Sequence, residues 1–293
     1  MRPVAPGRCA EVGQRAGMGR GPGFVADGPR SSHGHWPWAL LARLVLTHVR
    51  VAARRRSLWK AIIPVTLLVT LSSLAAPLEH PGSVDGMVYQ GQMFAMLGVL
   101  VYAASFTDLF TAAHRRGLGE VEVACPGGGI ALAAARLAGS FAVAITPPTV
   151  ALLLTGVVQV TQGNAMAPLQ ALAIAATIVA PATLLSMAFS GLAGALLPRS
   201  VARVAALVVW CLVVFTTPTM PVPTLNGSVL TLMGDAVATG FFGTEPGTRP
   251  VGPLAFDGSA ASAVVSLAWE GLLIAALVAL GTCAARWRSR RRR

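Results

Sequence analysis

The stretch LQALAIAATIVAPATLLSMAFSGLAGALL, residues 169–197, decides the fold class because it contains no charged side chain. About 20 apolar residues in a helix cross a bilayer core of about 30 Å, and this stretch is longer than that. The chain contains five further, predominantly apolar stretches of 17 to 26 residues, at residues 61–78, 87–112, 137–160, 201–217 and 260–285. We therefore expect an all-α integral membrane protein with six transmembrane helices.

The composition of the whole chain agrees with a membrane protein. Hydrophobic residues make up 54% of the 293 residues and charged residues only 12%, whereas roughly a quarter of the residues in a soluble protein are charged. The net charge of +12 comes almost entirely from arginine, since Lys60 is the only lysine. We interpret this residue usage as that of a GC-rich bacterial genome and not as a nucleic-acid-binding surface.

The cysteines and histidines do not indicate a metal site. Cys9, Cys125, Cys211 and Cys283 are widely separated and form no C-x-x-C pair, so neither zinc ligation nor a disulfide framework is expected. The five histidines lie outside the apolar stretches, and the sequence contains no H-E-x-x-H or G-x-S-x-G motif. These motifs would have indicated hydrolytic chemistry, and we expect a protein that is not an enzyme.

The basic residues predict the topology, because Lys and Arg accumulate in cytoplasmic loops. Of the 23 Lys and Arg residues, all but one lie in four places. These are the segment before the first apolar stretch, the connection between the second and third, the region from the end of the fourth to the start of the fifth, and the segment after the sixth. The exception is Arg249, in the long connection 218–259. We therefore expect both termini in the cytoplasm and the protein in the bacterial inner (plasma) membrane.

Four segments follow from these patterns. Residues 1–35 are rich in Gly, Pro and Arg and lack periodicity, which predicts a disordered cytoplasmic tail. Residues 36–60 are predicted to form an amphipathic interfacial helix, residues 61–286 the six-span transmembrane domain, and residues 287–293 a basic cytoplasmic tail.

The interfacial helix is predicted from its two faces. At about 100° per residue, Arg43, Arg50 and Arg54 fall on one stripe, while Trp38 and Trp59 fall on the opposite, mostly apolar face. Such a helix lies at the membrane surface, with its guanidinium groups near anionic headgroups and its Trp side chains at headgroup level. The alternative is a soluble helix that covers the core.

Two carboxylates fall within the apolar stretches and are candidates for intramembrane functional groups. Asp108 lies near the cytoplasmic end of the second stretch, where an ion pair with Arg115 or Arg116, or snorkelling, is the simpler interpretation. Glu270 lies deeper, where a charge costs several kcal/mol unless it faces water or a partner, or is protonated. Glu270 is the better candidate for a role in transport, although a carboxylate at a helix interface is also compatible with packing alone.

Prolines interrupt the apolar stretches at Pro64, Pro147, Pro148 and Pro181. Each removes a backbone donor, so we expect each to bend or break its helix. Such kinks either fix packing or serve a pathway with moving walls. In the long outer connection, the apolar stretch 229–242 is too short to span and is expected to form a re-entrant or surface-lying helix, or a short helix with no special role.

The connection between the second and third apolar stretches reads HRRGLGEVEVACP at residues 114–126. In a short helix, Leu118 and Val121 would share an apolar face. Arg116 and Glu120 would form an i, i+4 ion pair on its surface.

This connection resembles that of the membrane subunits of type-2 ABC exporters, the class that includes drug, lipid and polysaccharide exporters. In that family, basic residues, a small residue, a short helix centred on Glu and a proline commonly lie between the second and third spans. That helix docks into a groove of the ATP-hydrolysing subunit. The resemblance covers about residues 36–286, and it implies that the residues coupling to the ATPase subunit are Arg115, Arg116, Gly117, Leu118, Glu120, Val121 and Pro126, with Arg136 as the basic residue before the third span.

The resemblance implies the permease subunit of an ATP-driven exporter, which forms the translocation pathway with a second copy or a paralogous permease. The sequence contains no G-x-x-x-x-G-K-[ST] motif, so no cofactor is expected in this chain and ATP would bind to a partner ABC ATPase subunit. The expected surroundings are the lipid bilayer, without nucleic acid. A secondary transporter, which would usually show internal repeats, and a non-transporting membrane accessory or scaffold protein are the alternatives.

Overall fold

Helices make up nearly all of the regular structure. A computed structural model describes residues 38–75, 83–112, 128–216 and 224–291. Within these residues there is one isolated bridge, between Ser228 and Ala255, and no strand. The described helices are α1 (Trp38–Ala53), α2 (Arg56–Ala75), α3 (Asp85–Ser105), α4 (Gly128–Thr161), α5 (Ala167–Leu196), α6 (Arg199–Phe215), α7 (Asp235–Phe242) and α8 (Ala260–Arg290). The all-α prediction is confirmed for this part of the chain, and the predicted tail, residues 1–35, lies outside it.

Four of the described helices are long and apolar enough to cross a membrane. They are α3, α4 from Ile130, α5, and α8 as far as Arg288. The chain therefore has the character of a multi-pass membrane protein. The remaining two predicted stretches, 61–78 and 201–217, also coincide with helices, the 20-residue α2 and the 17-residue α6.

Helix α5 lies at the centre of the bundle, where it packs against α3, α4, α6 and α8. Most of its residues are small, which allows neighbouring backbones to approach closely. The hydroxyls of Ser186 and Ser190 donate hydrogen bonds to the carbonyl oxygens of Val99 (3.1 Å) and Ala103 (2.6 Å) on α3. These bonds between helices fix the register of α5 against α3.

The predicted interfacial helix ends earlier than expected. We predicted one helix over residues 36–60, but α1 ends at Ala53 and α2 begins at Arg56. The Trp59 indole N–H donates to the Ala53 carbonyl oxygen at 2.7 Å. This bond satisfies one of the carbonyls that a helix leaves unpaired at its C-terminus, so Trp59 folds back on the break between the two helices.

The second predicted span, residues 87–112, was too long. Helix α3 ends at Ser105, and residues 106–111 form successive turns. Backbone bonds from Leu109 to Phe106 (3.0 Å) and from Thr111 to Asp108 (3.2 Å) close these turns. Asp108 therefore lies beyond the helix and not inside a span.

None of the four interior prolines breaks its helix. Pro148 cannot donate to the Ala144 carbonyl, its normal partner one turn earlier, and the Tyr102 hydroxyl of α3 donates to that carbonyl at 2.9 Å instead. Pro181 follows a π-helical turn, Ala175–Val179, in which the Ala180 N–H bonds to the carbonyl five residues back. At Pro148 a hydroxyl from a neighbouring helix thus supplies the missing donor.

The apolar stretch 229–242 forms a shorter helix than we predicted. Only Asp235–Phe242 is helical, and the preceding residues from Val229 lie in turns. Gly234 (φ 74°) precedes α7 and Gly243 (φ 67°) follows it. Both positions have the left-handed conformation that glycine adopts most easily, so α7 begins and ends sharply.

Candidate functional site

The two ends of the bundle differ in charge. We call one of them the basic end, because it holds the arginines at the start of α2, α4 and α6 and at the end of α8. Helices α3 and α5 also finish there. The predicted coupling residues Arg115, Arg116, Gly117, Leu118, Glu120, Val121 and Pro126 follow the end of α3 and lie outside the described residues.

The turns at residues 106–111, which we call the wedge, pack into the bundle at the basic end. The Phe110 ring occupies notches left by two glycines, Gly191 on α5 and Gly281 on α8. A β-carbon at Gly191 would lie 2.7 Å from the ring, and one at Gly281 would also overlap it. At Gly194 a β-carbon would collide with the Thr107 carbonyl group. The wedge therefore contacts α5 and α8 with almost no intervening side chain.

Charged groups reinforce this arrangement. Arg199, the first residue of α6, forms a 2.9 Å ion pair with Asp108 of the wedge, and the two side chains are 56% and 22% exposed. A partly exposed pair of this kind stabilises by about 0–1 kcal/mol. Arg288 of α8 donates to the carbonyl oxygens of Ala195 (3.2 Å) and Leu197 (3.3 Å) at the end of α5. Asp108 thus pairs with a basic residue, as one interpretation of the sequence held, and Arg199 is a partner that we did not predict.

Helix α1 lies against α4 near the basic end. A β-carbon at Gly139 of α4 would lie 2.6 Å from the His48 β-carbon and 2.8 Å from the Val45 carbonyl oxygen, so the two backbones are in close contact. Burial, together with the positive charges of Arg136 and Arg55, lowers the pKa of His48.

The outer surface of α1 carries the predicted basic stripe. Arg43, Arg50 and Arg54 are all exposed. Leu46 and Val51 are exposed on the same surface, so arginines and apolar side chains occur together there. Trp38 is the first residue of α1, and its side chain lies outside the described part of the structure.

The interior contains a cluster of polar atoms on one turn of α8. Glu270 is 3% exposed, and the described residues supply it with no hydrogen bond or ion pair. One turn earlier, the Ser266 hydroxyl is buried without a hydrogen-bond partner in the described structure, and so is the Trp269 indole N–H. A buried polar group that is left without any hydrogen-bond partner costs about 1–3 kcal/mol.

A second polar group joins α3 and α4. The Thr155 hydroxyl donates to the Gln90 side-chain oxygen at 2.9 Å. The Gln90 amide nitrogen and the Gln159 side-chain oxygen are buried and find no partner among the described residues. We did not predict this group, although glutamines inside an apolar stretch are a signal that could have identified it.

A third polar group lies at the end of the bundle opposite the basic end. The buried Asp235 of α7 accepts hydrogen bonds from the Gln92 amide of α3 (2.9 Å) and from the Thr248 hydroxyl. Burial raises the pKa of Asp235, against the effect of the hydrogen bonds from Thr248, Gln92 and the Gly247 backbone. Asp235 therefore attaches the connection after α7 to α3.

Comparison with protein-family models, with curated proteins and with solved structures gives no match. Within the described residues, no three His, Cys, Asp or Glu side chains lie close enough together to hold a metal ion. The functional argument therefore depends on the wedge, on the buried polar groups and on the sequence of residues 114–126.

Proposed function

We propose that this chain is the permease subunit of an ATP-driven exporter, and that a separate ABC ATPase subunit docks on residues 114–126 around Glu120. In this proposal the basic end faces the cytoplasm of a bacterial cell and α1 lies in the membrane interface. Six helices, α2 to α6 and α8, cross the inner membrane, with both termini inside. ATP binds to the partner subunit, and a second copy or a paralogous permease completes the pathway.

The position of the wedge is the observation that carries this proposal. The proposed docking segment begins at residue 114, three residues after the end of the wedge, and the wedge contacts the glycines of α5 and α8. Tightly packed protein interiors are poorly compressible and transmit displacement. A movement of residues 114–126 would therefore reach α5 and α8, two of the helices that are long enough to cross a membrane.

The polar groups of the interior support a transport role over a purely structural one. A scaffold gains nothing from unpaired buried polar atoms, which natural proteins generally avoid. Among the described residues such atoms occur on α3 to α6, on α8 and in the wedge. They are suited to partners that come and go, such as water or cargo.

The proposed docking segment is tested by reversing one charge. We expect Glu120→Lys to insert and express like the wild type, because the residue precedes the third predicted span and lies outside the apolar stretches. Juxtaposed like charges at a protein contact cost several kcal/mol. The variant should therefore recruit the ATPase subunit weakly or uncouple ATP hydrolysis from export.

Co-purification and transport are measured on the same preparations, with the cognate ABC ATPase subunit. The control is Glu245→Lys, which changes the same charge at an exposed position beyond α7 and should leave both properties unchanged. Wild-type recruitment together with wild-type transport by Glu120→Lys would remove this segment as the coupling element.

A further inference from the structure

One exposed face of α2 is basic at its start and apolar along the rest of its length. Arg56, the first residue of α2, and Lys60, one turn later, are both exposed. Ile63, Leu67 and Leu71 follow and are 46%, 56% and 63% exposed. The spacing i, i+4, i+7, i+11 and i+15 places all five side chains in one stripe of the helix. We call these five residues the α2 face.

The two positive charges of the α2 face form no ion pair with any described residue. Helices α1, α2 and α4 contain no acidic residue, and the only acidic residue of α3 is Asp85, in its first turn at the opposite end of the bundle. Elsewhere at the basic end, Arg199 is paired with Asp108, and Arg288 donates to carbonyl oxygens of α5. Arg56 and Lys60 are therefore available to a partner outside the described structure.

Trp59 indicates the depth of the α2 face in a membrane. Trp side chains are enriched at the level of the lipid headgroups, and Lys60 follows Trp59 directly. Leu71 then lies about 16 Å beyond Lys60 along the helix, at about 1.5 Å per residue. Half of a hydrocarbon core of about 30 Å is about 15 Å. The apolar part of the α2 face thus has the length of one leaflet, with the positive charges at the level of its headgroups.

We propose that the α2 face binds an anionic phospholipid. The lipid phosphate contacts Arg56 and Lys60, and an acyl chain lies along Ile63, Leu67 and Leu71. Guanidinium and ammonium groups supply hydrogen-bond donors and positive charge but no acceptor, so a phosphodiester, with its acceptor oxygens and negative charge, is their complement. The positive end of the α2 helix dipole lies at the same place.

The apolar part of the α2 face favours a lipid over an acidic protein surface. An acidic protein would match the two charges, but it would leave the three aliphatic side chains below them without a partner. A phospholipid matches both parts, and it reaches an exposed face by lateral diffusion within its leaflet. The inference rests on the proposed function only in placing α2 across the membrane with the basic end in the cytoplasmic leaflet, where anionic lipids are found.

Lipid binding by the full chain, without an ATPase subunit, tests the site. We would titrate the chain in dodecyl maltoside micelles with phosphatidylglycerol or with phosphatidylcholine that carries the same acyl chains, and count bound lipids by native mass spectrometry. Phosphatidylglycerol should bind at least about tenfold more tightly, equivalent to about 1.4 kcal/mol. Equal affinities would overturn the proposal. Glycerophosphoglycerol, the headgroup without acyl chains, should not compete, and displacement by it at equal concentration would show a phosphate site instead of a lipid site.

Variants locate the site. Each basic residue near an anionic membrane surface strengthens binding about fivefold, so Arg56→Gln combined with Lys60→Gln should weaken phosphatidylglycerol binding at least about tenfold. Arg56→Lys combined with Lys60→Arg keeps both charges and should stay within about threefold of the wild type. The control Arg203→Gln removes an exposed positive charge one turn into α6 and should bind normally. Wild-type affinity of the double Gln variant, or an equal loss in Arg203→Gln, would overturn the proposal.

Recruitment of the ATPase subunit by the same variants separates this inference from the proposed function. If the double Gln variant keeps its affinity for phosphatidylglycerol but recruits the ATPase weakly, the α2 face is a protein contact and the lipid site is wrong. If phosphatidylglycerol binds as described but the wild-type chain recruits no ATPase, the lipid site stands and the exporter proposal fails. If recruitment and export depend on Glu120 while the two lipids bind equally, the exporter proposal stands without the lipid site.

Discussion

The hydrogen bond from the Tyr102 hydroxyl to the Ala144 carbonyl oxygen compensates for Pro148. Pro148 has no N–H, so the Ala144 carbonyl oxygen lacks its helical donor, and the Tyr102 hydroxyl replaces it at 2.9 Å. Tyr102 is 3% exposed and Ala144 is fully buried. Replacing Tyr102 by Phe removes only the hydroxyl and leaves a buried carbonyl without a donor.

The expected cost follows from this geometry. Leaving one buried polar group unsatisfied costs about 1–3 kcal/mol, whereas hydrogen bonds between membrane helices average about 0.6 and reach about 1.7 kcal/mol. Because the Ala144 carbonyl has no alternative donor in its own helix, we expect Tyr102→Phe to cost about 1.5 kcal/mol. In a Pro148→Ala background, residue 148 can donate to Ala144, and Tyr102→Phe should cost less than about 0.5 kcal/mol.

A double-mutant cycle measured by reversible unfolding in mixed micelles tests this reasoning. Tyr89→Phe is the matched control, because Tyr89 is the only other tyrosine and is 43% exposed. It should change the free energy of unfolding by less than about 0.5 kcal/mol. If Tyr102→Phe costs the same with and without Pro148, the hydroxyl does not compensate for the proline and the argument is refuted.

Three further predictions concern the wedge, α1 and the topology. Gly194→Ala should push Thr107 out of the bundle and cost about 1–3 kcal/mol in unfolding experiments, while retaining ATPase recruitment and reducing transport; Gly98→Ala, with open space around its β-carbon, should leave transport unchanged. The pKa of His48 is lowered in the folded state, so below about pH 6.5 only the unfolded state gains a proton there and stability falls as the pH decreases. His48→Gln should make the free energy of unfolding depend less steeply on pH between about pH 5 and 7. An unchanged pH dependence would contradict the lowered pKa of His48. In a background without native cysteines, a membrane-impermeant thiol reagent should label a cysteine at position 247 in intact cells and spare one at position 289, whereas the reverse pattern would contradict the predicted topology.

The sequence predicted the helices but not the contacts between them. Predominantly apolar stretches of 17 to 29 residues are a strong local signal, and helices occur in all six predicted places. The end of α3 was misplaced because Phe106, Leu109 and Phe110 continue the apolar pattern of the helix at i, i+3 and i+4. Their turn depends on notches at Gly191 and Gly281 that belong to distant parts of the chain.

The candidate sites also contain features that the sequence predicts and features that only the structure reveals. Glu270 could be identified from the sequence because an acid within an apolar stretch is conspicuous. Its lack of a counter-ion depends on which helices pack against α8, which no local pattern reveals. The Gln92–Asp235 and Tyr102–Ala144 bonds likewise join segments that are remote in sequence, so they became visible only in the structure.

The central claim is that this chain couples to an ATPase that it does not itself contain. The most direct measurement is ATP hydrolysis by the purified chain in lipid vesicles, alone and after addition of its cognate ABC ATPase subunit. We predict no hydrolysis by the chain alone and, in the combined vesicles, hydrolysis that exceeds that of the free ATPase and accompanies export. Hydrolysis by the chain alone, or an ATPase activity that the chain leaves unchanged, would contradict the account.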